Sequence, residues 1–384
     1  MKIAYLISSL GNSAGMERVL CTKANYLADR TNHQVFIIAF KPLPKDLFFE
    51  YSSGLIIESL NHDIKHKGLF ASILSRTRLH GSFKKALSER LYLIKPDITI
   101  SMFGKEFPIL NKLDDGSIKI AEFHYTKNYL IHLIKNIPNL SYRNLRLLYA
   151  TYFQYRQRVL AQKYARIILL SDRDRQLWCN KMNLVVIPKP VSFRSEMKAD
   201  LDSKQIIAVG RFIAQKGFDL LIEAFSLIAS KYPDWHVLIV GEGQDENYLK
   251  NEIHRNSLED KILLIKPRKD IQNLILSSSI FALPSRYEGF GLVLTEAMEL
   301  GVPSVAFDCE CGPSEILTHG EDGFVVENGN VKLFAHYLAT LMKDKELRIK
   351  MGKACKRNVI RFYGEPIMKK WLDLFTELKS KRQN

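Results

Sequence analysis

The sequence predicts an α/β protein built from two doubly wound parallel sheets that are covered by helices. Short β-rich apolar runs alternate with amphipathic helical runs in both halves of the chain, which is the pattern of parallel sheets. The 384 residues also exceed what one ordinary hydrophobic core needs. A polar, proline-bearing stretch at residues 188–204 interrupts the periodicity and predicts a linker between two units.

Thirteen runs are predicted strands. Those of the first half are KIAYLIS, HQVFIIAF, GLIIESL, DITISMF, IKIAEFH, ARIILLS and NLVVIP. Those of the second half are QIIAVG, WHVLIVG, KILLIK, SIFALP, VPSVAF and GFVVE. Helices are predicted at residues 218–231, 271–279, 292–300 and 331–361, with a final helix around Trp371.

We therefore predict three segments. Residues 1–190 form an N-terminal Rossmann-like domain, residues 191–364 form a C-terminal Rossmann-like domain, and residues 365–384 form a helix that crosses back to the first domain. Two such sheets leave a cleft between the carboxyl ends of their strands, where open α/β folds bind ligands. Functional residues are therefore expected in the loops that follow strands.

Composition excludes several classes of protein. No run of roughly 18 apolar residues could span a bilayer. The start, MKIAYLISSL, lacks a small-residue cleavage site and is predicted as a strand rather than a signal peptide. The scattered cysteines have no CxxC pair or histidine pattern, which favours a reduced cytosolic setting without structural zinc. They are Cys21, Cys179, Cys309, Cys311 and Cys355.

The net charge of +15 belongs to one half of the chain. Residues 1–195 hold 30 lysine and arginine residues against 14 aspartate and glutamate residues, whereas residues 196–384 hold 26 against 27. The first half therefore suits an anionic partner such as phosphate-bearing lipid, a membrane surface or nucleic acid. A merely soluble basic surface is the alternative, and no nucleic-acid-binding motif is found.

Two loops after strands favour phosphate. The first contains Gly15 ahead of a helix start, whose free amides and dipole attract anions. The second, AVGRFIAQKGFDLLIEAF, places Arg211 and Lys216 beside the next helix start, where they form a diphosphate clamp that needs no metal. Taken alone, each is weak evidence, since solvated surface cations are common.

The stretch SRYEGFGLVLTEAMELG sets two carboxylates around a predicted helix start. Phe290, Gly291 and Leu292 leave their amides free for a ligand, and Glu296 lies one turn into the helix, facing back toward them. Together with Glu288, these groups accept sugar hydroxyls and bind phosphate, a mixture that a nucleotide sugar supplies. Considered alone, each acid also has a structural interpretation. Glu288 would be a solvated acid in a loop, and Glu296 would complement the dipole near a helix start.

At this point several motifs carry a resemblance. The segment with Glu288, seven intervening residues and Glu296 resembles the E-x7-E signature of retaining glycosyltransferases of family four, which have the GT-B fold of two Rossmann-like domains facing a cleft. The other matching segments follow in the family's order: AGMERV, GRFIAQKGFDLLIEAF, GEG at Gly241 and DCECGPSEIL. The resemblance covers nearly the whole chain, firmly in the second half and loosely across residues 25–200.

The resemblance implies a role for each matching residue. Arg211 and Lys216 hold the donor diphosphate, Glu296 the ribose hydroxyls and Glu288 the donor sugar hydroxyls. Four further positions complete the cradle, namely Gly15 and the amides of Phe290, Gly291 and Leu292. His124, in AEFHY, matches a histidine near the donor sugar, and Pro267 matches the position against the nucleobase. The expected catalytic set is Glu288, Arg211, Lys216 and His124.

The sequence departs from the family pattern at two places. Ile265 and Lys266 stand where a glycine is common nearby, which puts the base contact of Pro267 in doubt. Lys189, in IPKP, replaces a usual asparagine and adds charge near the linker. The DRD at residues 172–174 imitates a metal-binding DxD, but Ser171 ahead of it predicts a helix cap instead, so we expect no metal.

These observations predict a metal-independent, retaining hexosyltransferase. We expect it to move a hexose or N-acetylhexosamine from a UDP-sugar donor to a polyprenyl-diphosphate-linked glycan in cell-surface polysaccharide biosynthesis, by same-face substitution. Residues 1–190 are expected to bind this acceptor. Residues 128–166 interleave aromatic, aliphatic and basic residues, as an interfacial helix does, and predict peripheral association with an anionic membrane from the cytoplasmic side. An ordinary amphipathic helix over a sheet is the alternative.

Other functions stay open. A GDP-mannose-dependent mannosyltransferase shares the fold and the clamp, and a catalytically silent subunit could bind a nucleotide sugar. A sugar-nucleotide epimerase on the same fold would release an epimer rather than free sugar when no acceptor is present.

Overall fold

The computed structural model describes residues 1–11, 15–62, 73–135, 143–178, 183–268 and 270–383. Three features discussed above fall partly outside these residues. They are Ala14 of the AGMERV element, Cys179, and residues 136–142 of the predicted interfacial segment. The other cysteines are free and buried.

Two parallel sheets organise the described residues. The first contains β1 (Lys2–Ile7), β2 (Gln34–Ala39), β3 (Leu55–Ser59), β4 (Ile98–Ser101), β5 (Ile118–Glu122), β6 (Arg166–Leu169) and β7 (Leu184–Val186). The second contains β8 (Gln205–Val209), β9 (His236–Val240), β10 (Ile262–Ile265), β11 (Ile280–Leu283), β12 (Ser304–Asp308) and β13 (Gly323–Glu327). Each strand lies within a predicted run, except that β12 extends one residue further, to Asp308. The predicted α/β class is confirmed.

Both sheets have the same winding. The first runs β3-β2-β1-β4-β5-β6-β7 and the second β10-β9-β8-β11-β12-β13, with every pair parallel. This is the Rossmann order, in which the chain reverses direction across the sheet next to the first strand. The ligand crevice of such a sheet lies at that reversal, which here is between β1 and β4 and between β8 and β11.

Helices cover the faces of both sheets. In the first half they are α1 (Gly15–Arg30), α2 (Ile73–Ile94), α3 (Phe107–Leu110), α4 (Tyr129–Lys135), α5 (Arg143–Ala161) and α6 (Asp172–Leu177). In the second half they are α7 (Phe218–Ser226), α8 (Glu246–Arg255), α9 (Ile271–Leu276), α10 (Leu292–Glu299), α11 (Pro313–Ile316), α12 (Val331–Lys343), α13 (Lys345–Asn358) and α14 (Gly364–Gln383). No helix of the described residues is both long enough and apolar enough to cross a membrane.

Two predicted helices are interrupted. The helix predicted at residues 331–361 divides at Asp344, which leaves the helical conformation and accepts a hydrogen bond from the Leu347 amide at 2.8 Å, capping α13. The helix predicted at residues 218–231 ends at Ser226 and is followed by a 3₁₀ turn at Ala229–Lys231. In both cases the apolar periodicity continues across a local break, so periodicity alone made each predicted helix too long.

The last helix packs against the opposite end of the chain. Ile367, Met368, Trp371 and Phe375 of α14 are buried in one cluster with Ile3 and other residues of the first sheet. Residues 187–204, which join the two sheets, contain no helix or strand. The predicted domain boundary after residue 190 falls in this joining segment, and the one after residue 364 falls at the first residue of α14. Both boundaries stay predictions.

Candidate active site

Lys216 is brought to the crevice of the second sheet by a tight turn after β8. It ends the 3₁₀ turn Ala214–Lys216, and Gly217 follows in the left-handed conformation with φ of 63°. A Cβ on Gly217 would lie 2.0 Å from the Pro284 carbonyl oxygen, so only glycine lets the turn lie against the loop after β11. The Arg286 amide donates to the Gln215 carbonyl at 2.8 Å and closes the contact.

Lys216 pairs directly with one of the two predicted carboxylates. Its Nζ lies 2.6 Å from Oε1 of Glu288, and the Ser285 hydroxyl donates to the same oxygen at 2.7 Å. Glu288 is buried. A cation and a carboxylate from neighbouring strand ends therefore form a preorganised polar pair at the reversal of the sheet.

Arg211 lies at the mouth of the crevice with its side chain exposed. The structure shows no hydrogen bond or ion pair between its guanidinium and another described residue. Burial raises the pKa of Tyr287 to about 12, with Tyr129 and Glu288 adding to the rise and Arg211 opposing it. The guanidinium thus lies close enough to the crevice to act on its buried groups, and it is available to an anionic ligand.

Glu296 is held by residues that the sequence reasoning did not select. The carboxylate is buried in α10, and its Oε1 accepts hydrogen bonds from Arg18 Nη1 of α1 and from the Ser192 hydroxyl, the latter at 2.7 Å. These described bonds both end on one oxygen. The arginine stands in the AGMERV element, which was an available signal, whereas nothing in the sequence marked Ser192.

The two sheets meet at the loops that carry the predicted glycines. A Cβ on Gly15 would lie 3.9 Å from the Leu292 side chain, so the starts of α1 and α10 adjoin. A Cβ on Gly289 would lie 2.3 Å from the His124 carbonyl oxygen, so the backbone after β5 passes against the Glu288 loop. The predicted first-sheet and second-sheet residues therefore lie around one cleft.

His124 is a buried, neutral imidazole. Neither ring nitrogen has a hydrogen-bond partner among the described residues. Burial holds the pKa of His124 well below its ordinary value, and the charges of Lys189 and Lys23 lower it further. A neutral imidazole offers one donor and one acceptor, which suits a ligand hydroxyl.

Lys189 lies beneath the same cleft. It is buried, and the structure shows no hydrogen bond from its Nζ to another described residue. Burial lowers the pKa of Lys189 to about 8, with Glu122 and Glu288 opposing this and Lys23 and Lys216 reinforcing it. Lys23 itself forms a buried ion pair with Glu122. The replacement of the family's asparagine thus adds a cation to the interior of the site.

The backbone at the start of α10 is open to a ligand. The amides of Phe290, Gly291 and Leu292 donate no hydrogen bond to another described residue, and the helix begins at Leu292. Such free amides at a helix start favour an anion. Pro267 is exposed after β10, and its contact with the nucleobase stays a prediction.

The DRD segment forms a helix start, as predicted. Ser171 caps α6, its hydroxyl accepting from the Asp174 amide at 3.1 Å, and Asp174 accepts from the Lys127 amide at 2.9 Å. Within the described ranges, no group of three or more histidine, cysteine, aspartate or glutamate residues is arranged to hold a metal.

A second contact between the sheets surrounds Glu310, which the sequence reasoning did not select. Its carboxylate accepts from Thr126 at 2.7 Å, Asn128 at 2.6 Å and His132 at 2.8 Å. Burial pushes the pKa of Glu310 upward, but these three hydrogen bonds outweigh burial and lower the pKa to about 2. We call this group the Glu310 clasp.

Comparison with known proteins fits this arrangement. Residues 192–358 match the family described as glycosyl transferases group 1. The chain is 35% identical over 386 residues to the amylovoran biosynthesis glycosyltransferase AmsD of Erwinia amylovora, covering 97% of this chain and 99% of that protein. It is 30% identical over 376 residues to an uncharacterized glycosyltransferase of Haemophilus influenzae, covering 96% and 98%.

A solved structure shares the whole architecture. The crystal structure of a mutant of S. aureus TarM, in complex with Fondaparinux, alpha-GlcNAc-glycerol and UDP, superposes with a TM-score of 0.76 at 16% identity, covering 97% of this chain and 99% of that one. This likeness confirms the expected GT-B fold. The two relatives and the match of residues 192–358 show that the chain is a glycosyltransferase and belongs to the group 1 glycosyl transferase family.

Proposed function

We propose that the protein is a retaining glycosyltransferase that moves a hexose or N-acetylhexosamine from a UDP-sugar to a lipid-linked glycan in bacterial cell-surface polysaccharide biosynthesis. One observation carries the proposal. The Lys216 ammonium lies 2.6 Å from Glu288, beside the exposed Arg211 and the open amides at the start of α10. Cations for a diphosphate and carboxylates for sugar hydroxyls thus meet in one cleft.

The chemistry follows from this arrangement. The acceptor hydroxyl oxygen bonds to the donor's anomeric carbon while the bond from that carbon to the diphosphate oxygen breaks. The diphosphate keeps the electron pair, and the hydroxyl proton passes to the departing phosphate oxygen on the same face of the sugar. Arg211, Lys216 and the α10 amides stabilise the charge that grows on the diphosphate. No metal is needed for that task.

The carboxylates and His124 orient the donor. Glu288 accepts from the donor sugar hydroxyls, Glu296 accepts from the ribose hydroxyls, and the neutral His124 ring meets a further sugar hydroxyl. Arg18 and Ser192 hold Glu296 through its Oε1. Glu288 and Glu296 are thus binding groups rather than the facing acid and base of a hydrolase.

The names of similar proteins support the donor and the pathway class. AmsD is a glycosyltransferase of amylovoran biosynthesis, and TarM was crystallised with UDP and alpha-GlcNAc-glycerol. On this basis we propose a UDP-sugar donor and a role in polysaccharide biosynthesis for this chain as well.

The donor proposal is tested by thermal shift with UDP-glucose, UDP-galactose, UDP-N-acetylglucosamine and GDP-mannose. We expect a UDP-sugar to stabilise the protein and to be hydrolysed slowly without acceptor. Lys216→Ala and Glu296→Ala should lose most of this activity while staying folded, whereas Lys231→Ala, an exposed lysine before β9 and away from the cleft, should keep it. Stabilisation by GDP-mannose alone would favour the mannosyltransferase. Binding of a nucleotide sugar without any turnover would favour a catalytically silent subunit.

Helix α5 is the proposed membrane contact. It contains four arginines and no acidic residue, and the side chains of Leu145, Leu148, Tyr149, Tyr152 and Tyr155 are each more than half exposed. Exposed aromatic and aliphatic groups with arginines between them suit the interface of an anionic bilayer. Gln154, on the other side of the same helix, donates to the Lys127 carbonyl at 3.0 Å, which ties α5 to the loop before α4 and leaves the apolar face exposed. The side of the membrane that we propose for this contact is the cytoplasmic one.

Vesicle sedimentation tests this contact. Binding to phosphatidylglycerol-containing vesicles should exceed binding to pure phosphatidylcholine vesicles. The double variant Arg146→Glu and Arg156→Glu should weaken it by about 30-fold or more, since each surface arginine contributes about 1 kcal/mol. The matched control, Lys84→Glu with Lys85→Glu, makes the same charge change on the exposed side of α2. If both double variants lost the same amount of vesicle binding, net charge alone would explain the binding, and α5 would not be the membrane contact.

A further inference from the structure

An exposed aromatic ring lies beside the loop that carries Glu288. Tyr125 follows His124 directly, and its Cα would lie 3.2 Å from a Cβ placed on Gly289. Its side chain is 39% exposed, although its neighbours on both sides, His124 and Thr126, are buried. The ring therefore stands at the mouth of the cleft, next to the point where the donor sugar is proposed to lie.

The ring is backed by other aromatic side chains. The centroids of Tyr125 and Tyr129 are 4.9 Å apart at an interplanar angle of 40°, and Tyr129 meets Tyr287 edge-on at 6.0 Å. Tyr287 is buried, with 2% of its surface exposed, and His132 stacks on it at 5.2 Å. These contacts fix the orientation of the exposed ring before any ligand arrives, which reduces the entropic cost of binding.

Polar groups flank the ring. Arg211 follows β8, which pairs with β11, and Tyr125 adjoins the loop after β11. Burial and Tyr129 raise the pKa of Tyr125, and the Arg211 guanidinium opposes the rise, so a cation lies on this flank of the ring. On the other flank, His132 connects the stack to Glu310, whose carboxylate uses three of about four lone-pair positions in the clasp. The surface thus combines a flat apolar face with hydrogen-bonding groups at its edge.

We propose that Tyr125, supported by Tyr129 and Tyr287, is the subsite for the pyranose ring of the acceptor glycan that receives the transferred sugar. A pyranose has an apolar C–H face that packs on an aromatic ring and hydroxyls at its edge that suit Arg211 and Glu310. Packing there directs an acceptor hydroxyl toward the carbon held above Glu288. The inference rests on the proposed function and deepens it by locating the acceptor.

The geometry separates this subsite from the nucleobase. The loop after β10, where Pro267 lies, is three strand positions from β11 in the order β10-β9-β8-β11. At about 4.8 Å per strand this is roughly 14 Å. Tyr125 adjoins the loop after β11, so its ring serves the sugar end of the donor rather than the base end.

The test uses the full-length protein saturated with UDP, and methyl glycosides of glucose, galactose, mannose and N-acetylglucosamine as probes. Saturation-transfer NMR titrations measure their dissociation constants. At least one glycoside should bind the wild type. Tyr125→Ala should weaken the binding of that glycoside about tenfold, since one aromatic contact contributes up to about 1.5 kcal/mol. Tyr125→Phe keeps the ring and should stay within about threefold.

Controls distinguish this subsite from folding and from the donor site. Tyr92 is a tyrosine with 66% exposure near the end of α2, where the chain enters the amino end of β4 and not the carboxyl end that faces the cleft, so Tyr92→Ala should bind both ligands as the wild type does. Tyr125→Ala should still bind UDP. If the wild type binds UDP but no glycoside, or if Tyr125→Ala binds glycoside normally, the subsite is wrong and the proposed function stands. If the wild type does not bind UDP, both fail.

Discussion

Arg18 shows how a residue of the first sheet unit can control a group of the second. It donates to Oε1 of Glu296 across 278 residues of chain, and its guanidinium also lies 5.6 Å from the ring of Phe49. Charged hydrogen bonds of this kind contribute about 1.5–3 kcal/mol. The arginine therefore orients the carboxylate that is proposed to hold the ribose.

We predict that Arg18→Ala weakens UDP binding by about tenfold or more, because Glu296 loses the partner that fixes its free oxygen toward the ligand. Isothermal titration with UDP measures the change. Arg30→Ala, at the exposed end of the same helix, should leave the affinity unaltered. An Arg18→Ala variant with wild-type UDP affinity would show that Ser192 alone is sufficient to orient Glu296.

Lys189 predicts a specific pH dependence of stability. Its pKa is about 8 in the folded protein against an ordinary 10.5. Between these values the unfolded chain holds a proton that the folded protein has lost, so this group makes the free energy of unfolding rise as pH increases from 8 to 10.5. Below pH 8 both states are protonated and the cost of burying the charge is fully present.

Lys189→Asn should remove that part of the pH dependence. We expect the difference in unfolding free energy between variant and wild type to change by about 3 kcal/mol across this window, from 1.36 kcal/mol per pKa unit. Urea titrations at pH 7 to 10.5 measure it, with Lys198→Asn, an exposed lysine of the same linker, as the control. Parallel pH profiles for wild type and Lys189→Asn would mean that the Lys189 pKa is not shifted.

The sequence selected the residues at the strand ends that line the cleft, but it missed the residues that hold the cleft together. Arg211, Lys216 and Glu288 follow strands, and parallel topology brings such positions to one edge whatever the details of packing. Ser192 and Glu310 act through contacts that span 104 and 178 to 184 residues. No periodicity or local motif encodes a pairing of that kind, so only the folded structure shows it.

At the level of elements, the Glu310 clasp ties α4 and the loop before it to the loop after β12. A neighbouring contact reinforces it, since the Glu315 carboxylate accepts from the amides of Asp172 and Arg173 at 2.8 and 2.6 Å. Both contacts join the two sheet units at one side of the cleft. Opening of the cleft requires these bonds to break.

Glu310→Gln should loosen this side of the cleft. An amide nitrogen cannot accept a hydrogen bond, so at least one of the three donors loses its partner. We expect faster hydrogen exchange in residues 126–135 and 308–316, measured by mass spectrometry, with the strands of both sheets unchanged. Glu321→Gln, which alters an exposed carboxylate paired with Arg357 within the second half, is the matched control. Unchanged exchange in both segments would show that the Glu315 contacts alone keep the cleft closed.

One predicted helix was too long because a capping residue divides it. The run at residues 331–361 keeps its apolar spacing on both sides of Asp344, but that aspartate caps a new helix instead of continuing the old one. Capping depends on a side chain turning back to a backbone amide. Strand prediction did not meet this difficulty, because short buried strands are bounded by the polar residues that follow them.

At the level of the whole molecule, the C-terminal helix joins the end of the chain to its beginning. Trp371 of α14 is fully buried against the first sheet, and the Lys23 ammonium lies 4.4 Å from its ring centroid. The same lysine pairs with Glu122 at the end of β5. The first sheet therefore depends on a helix that follows the whole second sheet along the chain, and its core continues into the buried pair of Lys23 and Glu122.

Trp371→Ala should destabilise the first sheet although it lies at the other end of the chain. Removal of a buried aromatic side chain costs about 3–5 kcal/mol, and Lys23 also loses its cation–π partner. Hydrogen exchange followed by mass spectrometry should show lost protection in β1 and β2 before any loss in β8 and β9. Trp235→Ala, which removes a buried tryptophan from the core of the second sheet, should give the reverse order. Equal loss in both sheets for both variants would mean that the two units unfold as one, and that α14 does more than complete the first core.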